Sequence, residues 1–235
     1  MKKEKKMKCI QVLLPALIET PEQAKMTEDC KKSIISLEHC VKVDLDTKKY
    51  DAKVAGVWNN FLDKWRGKDY DYLMITANDT ILDPLAIDYG VRCLEEHPEA
   101  GVITFHVERD LDKFKKGFGK KQYTGELTPS YSQMDPANFI IRKGVIEKVG
   151  RINQRYECEF VERDYWKRCE LAGFKWIELK EVLNYHPPFA GTIGNDEKRL
   201  QKALRKYVLE WGGDAGQERF DHPFNDLNLD FTYSE

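Results

Sequence analysis

The chain has 235 residues, 41% of them hydrophobic and 11% aromatic, enough to fill the core of one large α/β domain or of a domain with a helical appendage. Charged residues make up 33% and nearly cancel, leaving a formal net charge of -2, which argues against a nucleic-acid binder with a clustered basic excess. No stretch approaches the roughly 18–20 apolar residues of a membrane span, so no membrane insertion is expected. The basic runs Lys2 to Lys8 and Lys113 to Lys121 read as a solvated tail and loop. Cys9 to Ile18, interrupted by Gln11 and Pro15, is too broken for a secretory signal. The cysteines at 9, 30, 40, 93, 158 and 169 form no Cys-x-x-Cys pair and suit a reducing compartment, so a soluble cytoplasmic protein is expected.

In chain order, the apolar run Cys9 to Leu14 ends at Pro15 and predicts a buried strand. Thr20 is placed to cap a helix with Pro21 in its first position, running through Met26, Cys30, Ile34 and Leu37. Val41 to Asp46 alternates like a strand, and Ala52 to Trp65 is amphipathic, with Val54, Val57, Trp58, Phe61 and Leu62 on one face. Tyr70 to Thr76 predicts a second buried strand followed by the polar turn Ala77 to Thr80. Pro84 to Glu96 reads as a helix stopped by His97 and Pro98, and Gly101 to His106 as a strand. Residues 107–133 break the rhythm and read as a mobile loop or β-ribbon able to cover a substrate. A strand at Asn138 to Arg142, a helix at Lys143 to Val149 ended by Gly150, and a helix at Phe160 to Ala172 ended by Gly173 follow. Lys175 to Leu179 returns as a strand leading to His186, and Glu197 to Trp211 reads as a last amphipathic helix before an irregular tail. Strand–helix alternation of this kind predicts a mostly parallel sheet flanked by helices, with ligands bound beyond the carboxyl ends of the strands.

Three features carry chemistry. The turn after the second buried strand holds Asp79, whose carboxylate is a hard oxygen ligand for Mg²⁺ or Mn²⁺. Glu162 and Asp164 open a helix, where acidic residues serve either as partners of the helix dipole or as a general base. His186, between a strand and Pro187, can complete a metal site begun by Asp79.

These features occur in order within blocks that resemble a known family. Tyr70 to Pro84 (YDYLMITANDTILDP), Glu96 to Val102 (EHPEAGV), Asn138 to Gly150 (NFIIRKGVIEKVG) and Phe160 to Phe174 (FVERDYWKRCELAGF) are similar to successive segments of the inverting nucleotide-sugar glycosyltransferases of the GT-A fold (family 2-like). The likeness spans about residues 9 to 192. It implies a single GT-A, Rossmann-like domain over 1–193, with a helix and irregular tail over 194–235. The stretch from Tyr207 to Phe224 resembles the tails of small viral and phage sugar transferases, which would place the protein in a host cytoplasm.

Carried over residue by residue, the resemblance puts the catalytic base on Glu162, where the family usually has Asp, with Asp164 and Glu159 as alternatives. Asp79 falls on the last acidic position of the family's Asp-x-Asp turn, Ala77 on the first, and Asn78 between them. His186 matches the family's distal histidine. Pro15, Ala16 and Leu17, together with Asp44, Asp46, Lys53, Asn59, Ala77 and Asn78, are expected around the nucleotide. Phe118, Tyr123, Tyr131 and Trp166 are candidates for apolar walls of a sugar site. The implied function is transfer of a sugar, by default a hexose from UDP, to a hydroxyl of a glycan or glycoconjugate, assisted by Mn²⁺ or Mg²⁺. The alternatives are a nucleotidyltransferase that makes nucleotide sugars and a catalytically weakened nucleotide- or carbohydrate-binding module. Against the former, no Gly-rich basic loop follows the first strand to cradle a triphosphate.

Overall fold

A computed structural model describes residues 7–49, 53–125, 128–129, 138–156, 159–188 and 197–213. Its elements are β1 (Cys9–Pro15), α1 (Pro21–Ser33), β2 (Cys40–Asp46), α2 (Lys53–Trp65), β3 (Tyr72–Thr76), α3 (Ala86–Glu96), β4 (Ala100–Glu108), α4 (Leu111–Gly117), β5 (Thr128–Pro129), β6 (Asn138–Arg142), α5 (Lys143–Val149), α6 (Val161–Leu171), β7 (Lys175–Tyr185) and α7 (Glu197–Trp211). The strands form one sheet in the order β2-β1-β3-β6-β4-β7-β5. β1 pairs parallel with β2 and β3, β4 pairs parallel with β7, and β6 runs antiparallel between β3 and β4. β5 pairs antiparallel with β7 at the far edge. Five strands therefore point the same way, and their carboxyl ends share one edge of the sheet.

Alternation along the central strands sends successive side chains to opposite faces. On one face Leu73, Ile75, Phe139, Ile141 and Trp176 pack with α2, α5, α6 and α7. On the other, Ile10, Val12, Met74, Ile103 and Ile140 pack with α1 and α3. Gly101 belongs where these layers come closest: a Cβ there would lie 2.6 Å from both Phe174 Cβ and Val145 Cγ2. Among the described residues, no helix is long and apolar enough to cross a membrane.

Two local expectations change. The first helix begins as its cap implies, with Thr20 Oγ1 accepting from Gln23 N and Gln23 Oε1 accepting from Thr20 N. It ends at Ser33, however, and does not reach Leu37. The carboxylate of Asp88, on α3, accepts from Ser36 Oγ and from Leu37 N (2.9 Å), so these groups are satisfied outside a helix and Leu37 faces solvent. Residues 107–133 are not simply a loop or ribbon. β4 continues to Glu108, and Asp110 caps α4 by accepting from Asp112 N (2.9 Å) and Lys113 N (3.1 Å). The chain beyond α4 is then fastened by Gly119 N donating to Asp83 Oδ2 (2.8 Å) and Tyr123 Oη donating to Glu96 Oε2 (2.9 Å). Residues 126–127 and 130–137, with Tyr131 among them, lie outside the described residues.

Candidate active site at the carboxyl edge of the sheet

The turn after β3 is held from below and from the side. Below it, Asn78 Nδ2 donates to Thr27 Oγ1 of α1 (2.9 Å) and Cys30 Sγ donates to the Ala77 carbonyl (3.3 Å). Burial pushes the Cys30 thiol up to about 12, so it acts there as a neutral donor. To the side, Ile81 and Tyr185 exchange backbone hydrogen bonds of 2.8 and 2.9 Å, tying the turn to the end of β7. The buried Asn184 completes the attachment: its Oδ1 accepts from Asp83 N (2.7 Å) and its Nδ2 donates to Asn138 Oδ1 at the start of β6 (2.6 Å).

This stitching brings Asp79 Oδ1 within 3.0 Å of His186 Nε2. The two side chains keep 7% and 16% of their surface exposed, so the pair sits at the rim of the core. His186 is itself fixed by its backbone N donating to the Glu108 carbonyl (3.1 Å). A carboxylate oxygen and an imidazole nitrogen this close can bind one divalent cation in place of each other. Among the described residues no group of three or more His, Cys, Asp or Glu side chains could hold a metal ion. A cation bound here would draw its other ligands from substrate oxygens and water, as Mg²⁺ and Mn²⁺ do at phosphate sites.

Glu162 approaches from α6. That helix turns at Gly173 into β7, so it runs antiparallel to β7 and its first turn points toward the carboxyl edge of the sheet. Nine residues of helix from Leu171 back to Glu162 rise about 14 Å. Four residues of strand from Lys175 to Leu179 rise about 13 Å, which sets Glu162 near the level of Leu179, on the face covered by α2 and α6. The entry to the helix is strained: Phe160 has φ 64, an uncommon region for a non-glycine residue. Its ring packs on Tyr207 of α7 with centroids 4.9 Å apart, which holds the unusual backbone in place.

The neighbouring carboxylates serve the fold. Asp164 has no exposed surface. Its Oδ2 accepts from Arg168 Nε (3.0 Å), and its Oδ1 accepts from Trp211 Nε1 (3.3 Å) and Asn153 Nδ2 (3.5 Å). These bonds all lie within the fold and hold α6 to its neighbours. Glu159 is gripped by Arg199 of α7, with Nε and Nη2 at 2.7–3.0 Å from its oxygens, and is likewise structural. Glu162 is half-buried in the same turn.

The residues expected around a nucleotide divide similarly. Pro15, Ala16 and Leu17 leave the end of β1 at the same edge, with Ala16 N donating to the Asp46 carbonyl (2.8 Å). Asp46 is half-buried and accepts from Lys48 N (2.9 Å) and Asn60 Nδ2 (3.3 Å). Lys53 opens α2 beside this edge, exposed, with φ 44. Ala77 and Asn78 are half-buried in the Asp79 turn. Asp44 instead accepts from Lys64 Nζ (2.8 Å) and Trp65 Nε1 (2.9 Å), pinning α2 to β2. Asn59 is 1% exposed and makes two bonds with the backbone of Ile152, donating to its carbonyl (2.8 Å) and accepting from its N (2.7 Å). Of the aromatic candidates, Trp166 is buried in the core, Tyr123 lies over α3 against Tyr89 and Arg92, and Phe118 meets Phe114 edge-on. Sequence reasoning missed Asn184 and Asn138, which join three segments at the site; an asparagine in a strand gives no local sign of such a role.

With this geometry in view, known structures are informative. The S. aureus TarS fragment 1–349 superposes with a TM-score of 0.56 at 10% identity, over 92% of this chain and 67% of that one. The fold is GT-A-like. The same fragment in complex with UDP-GlcNAc matches at a TM-score of 0.53 and 9% identity, over 92% of this chain and 68% of that one. The mannosyltransferase PcManGT from Pyrobaculum calidifontis, in complex with GDP-Man and Mn²⁺, matches at 0.52 and 11%, over 79% of this chain and 59% of that one. No protein-family model and no curated protein matches the sequence. At such identities the likeness is one of fold.

Proposed function

We propose that this protein is a metal-dependent, inverting glycosyltransferase that moves a sugar from a nucleoside diphosphate, by default a UDP-hexose, to a hydroxyl of a glycan or glycoconjugate. The observation that carries the reading is the 3.0 Å approach of Asp79 and His186, brought from opposite halves of the sequence to the edge where α/β sheets bind ligands. Asp79 and His186 would hold Mn²⁺ or Mg²⁺, which when bound supplies positive charge to the diphosphate leaving group. The nucleoside end of the donor would lie along Pro15 to Leu17 with Asp46 and Lys53 beside it, and the diphosphate against Ala77 and Asn78. Glu162 would accept the acceptor hydroxyl's proton as that oxygen attacks the anomeric carbon and the bond to the diphosphate breaks. General-base help of this kind is worth about 10²- to 10⁴-fold. Holding donor and acceptor in line supplies much of the remaining acceleration.

The test is thermal stability against UDP, GDP and dTDP, each with and without Mn²⁺. A ligand that binds only the folded state stabilises it by mass action. One diphosphate should raise the melting temperature, with most of the rise requiring Mn²⁺, and a nucleotide sugar of the same base should be hydrolysed slowly. If no diphosphate stabilises the protein, the reading fails. Pyrophosphate release from a nucleoside triphosphate would assign it to the nucleotidyltransferases instead.

A further inference from the structure

The geometry points to a saccharide subsite formed by His106 and Glu178 on the sheet face below Glu162, where the acceptor would be held by a pair of its hydroxyls. This rests on the transferase reading and adds the chemistry of the second substrate.

The two residues belong to neighbouring parallel strands, β4 and β7. Phe105 and Leu179 pair in register and point into the core shared with α1 and α3, so His106 and Glu178 project to the opposite face, the one covered by α2, α5, α6 and α7. On that face Phe139 and Trp176 are buried and their rings lie 5.6 Å apart. His106 and Glu178 lie one layer nearer the carboxyl ends of their strands. There His106 Nδ1 and Glu178 Oε1 lie 3.2 Å apart, with 46% and 26% of their side chains exposed. Glu162 stands near the same level by the helix and strand rises given above.

A surface ion pair contributes little stability by itself, so the pair is not there chiefly to hold the fold. Its chemistry is specific nonetheless. The hydrogen bond from the His106 ring holds the Glu178 carboxyl below the usual range, keeping it an acceptor-only group. The imidazole beside it offers a second polar atom that donates or accepts according to its tautomer. A free anion is disfavoured by the carboxylate. A neutral polyol suits both, because each hydroxyl both donates and accepts. Neighbouring hydroxyls of a pyranose could span such a pair and present another hydroxyl of the same ring toward Glu162.

The experiment is nuclear magnetic resonance of the histidine rings in the full chain, titrated with methyl glycosides of glucose, galactose, mannose and N-acetylglucosamine. At least one should shift the His106 signals saturably, and its affinity should fall about tenfold in Glu178→Gln, as expected for loss of a hydrogen bond to a charged group. UDP, GDP and dTDP with Mg²⁺, each added separately, should include one that moves the His186 signals. If the nucleotide binds but no glycoside moves His106, the subsite is wrong and the transferase reading stands. If a glycoside binds equally to wild type and Glu178→Gln, the assignment is also overturned. If none of the three nucleotides binds, the function proposed above fails on its own evidence. The wild-type titration needs no variant to fold.

Discussion

Glu162 and Asp164 are two residues apart in the first turn of α6, and replacing each separately tests how the structure divides their work. Asp164 is fully buried and pairs with Arg168, whose side chain is only 6% exposed. Asp164→Ala would remove the carboxylate partner of a buried guanidinium, and breaking such a pair from one side costs about 3–5 kcal/mol. It would also leave the Trp211 indole N–H and the Asn153 amide without this acceptor. For a chain of this size each kcal/mol lowers the melting temperature by about 2–4 °C, so the fall should be about 6–20 °C. Asp164→Asn keeps the volume and one carbonyl oxygen and should cost less, about 1–3 kcal/mol. Glu162→Gln, half-buried and nearly isosteric, should stay within about 0.5 kcal/mol of wild type. Its sugar transfer should fall by about 10²-fold or more while Mn²⁺-dependent nucleotide binding persists. Urea unfolding together with donor turnover reads both quantities. A stable Asp164→Ala protein would refute the structural role of that carboxylate, and full transfer by Glu162→Gln would refute the base.

The remaining predictions concern other parts of the edge and core. Asp79→Asn and His186→Ala should each abolish most of the Mn²⁺-dependent part of nucleotide stabilisation in a thermal-shift assay; retention in both would remove the metal from these residues. Asn59→Ala breaks two buried bonds to the Ile152 backbone and should cost about 2–4 kcal/mol in chemical denaturation, with nucleotide affinity unchanged in the folded fraction. Thiol accessibility follows from burial, which raises Cys30 to about 12 and Cys93 to about 11 and also raises Cys169. Near neutral pH a disulfide reagent followed by mass mapping should label the half-buried Cys9 and Cys40 long before these three; rapid labelling of Cys30 would contradict the packing beneath the Asp79 turn. Tyr156 is raised by burial and by its hydrogen bond to Glu210, so it stays neutral in the fold above the pH at which a free tyrosine ionises. Its contribution to stability is complete below about pH 10 and declines as pH rises further, so urea midpoints should fall on the alkaline side, and less in Tyr156→Phe.

The parts of the fold that were legible in the sequence are those governed by local chemistry. Thr20, Pro21 and Gln23 specify the start of α1 by capping. The short strand Asn138–Arg142 and the helix Lys143–Val149, closed by Gly150 at φ 79, follow from an apolar run and a terminating glycine, and α7 follows from its amphipathic period. What the sequence hid depends on partners far along the chain. The end of α1 is decided by Asp88, a side chain of another helix, so no pattern around Leu37 could reveal it.

The candidate site shows the same limit in a sharper form. Position within an element is readable, since Asp79, His186, Glu162, Asp164, Asp44 and Asn59 all lie on the segments expected for them. The duty of each polar group is not, because it depends on what its oxygen or nitrogen already holds. Asp164 is occupied by Arg168, Asp44 by Lys64 and Trp65, and Asn59 by Ile152. Asp79, by contrast, meets another side chain able to bind a metal at the rim of the core. A polar group whose bonds are all used within the fold cannot give them up to substrate without the desolvation cost that fixed them there. That rule assigns Asp164 and Asp44 to holding helices in place, and it makes the Asp79 and His186 pair, which a cation could bridge, the first place to test for activity.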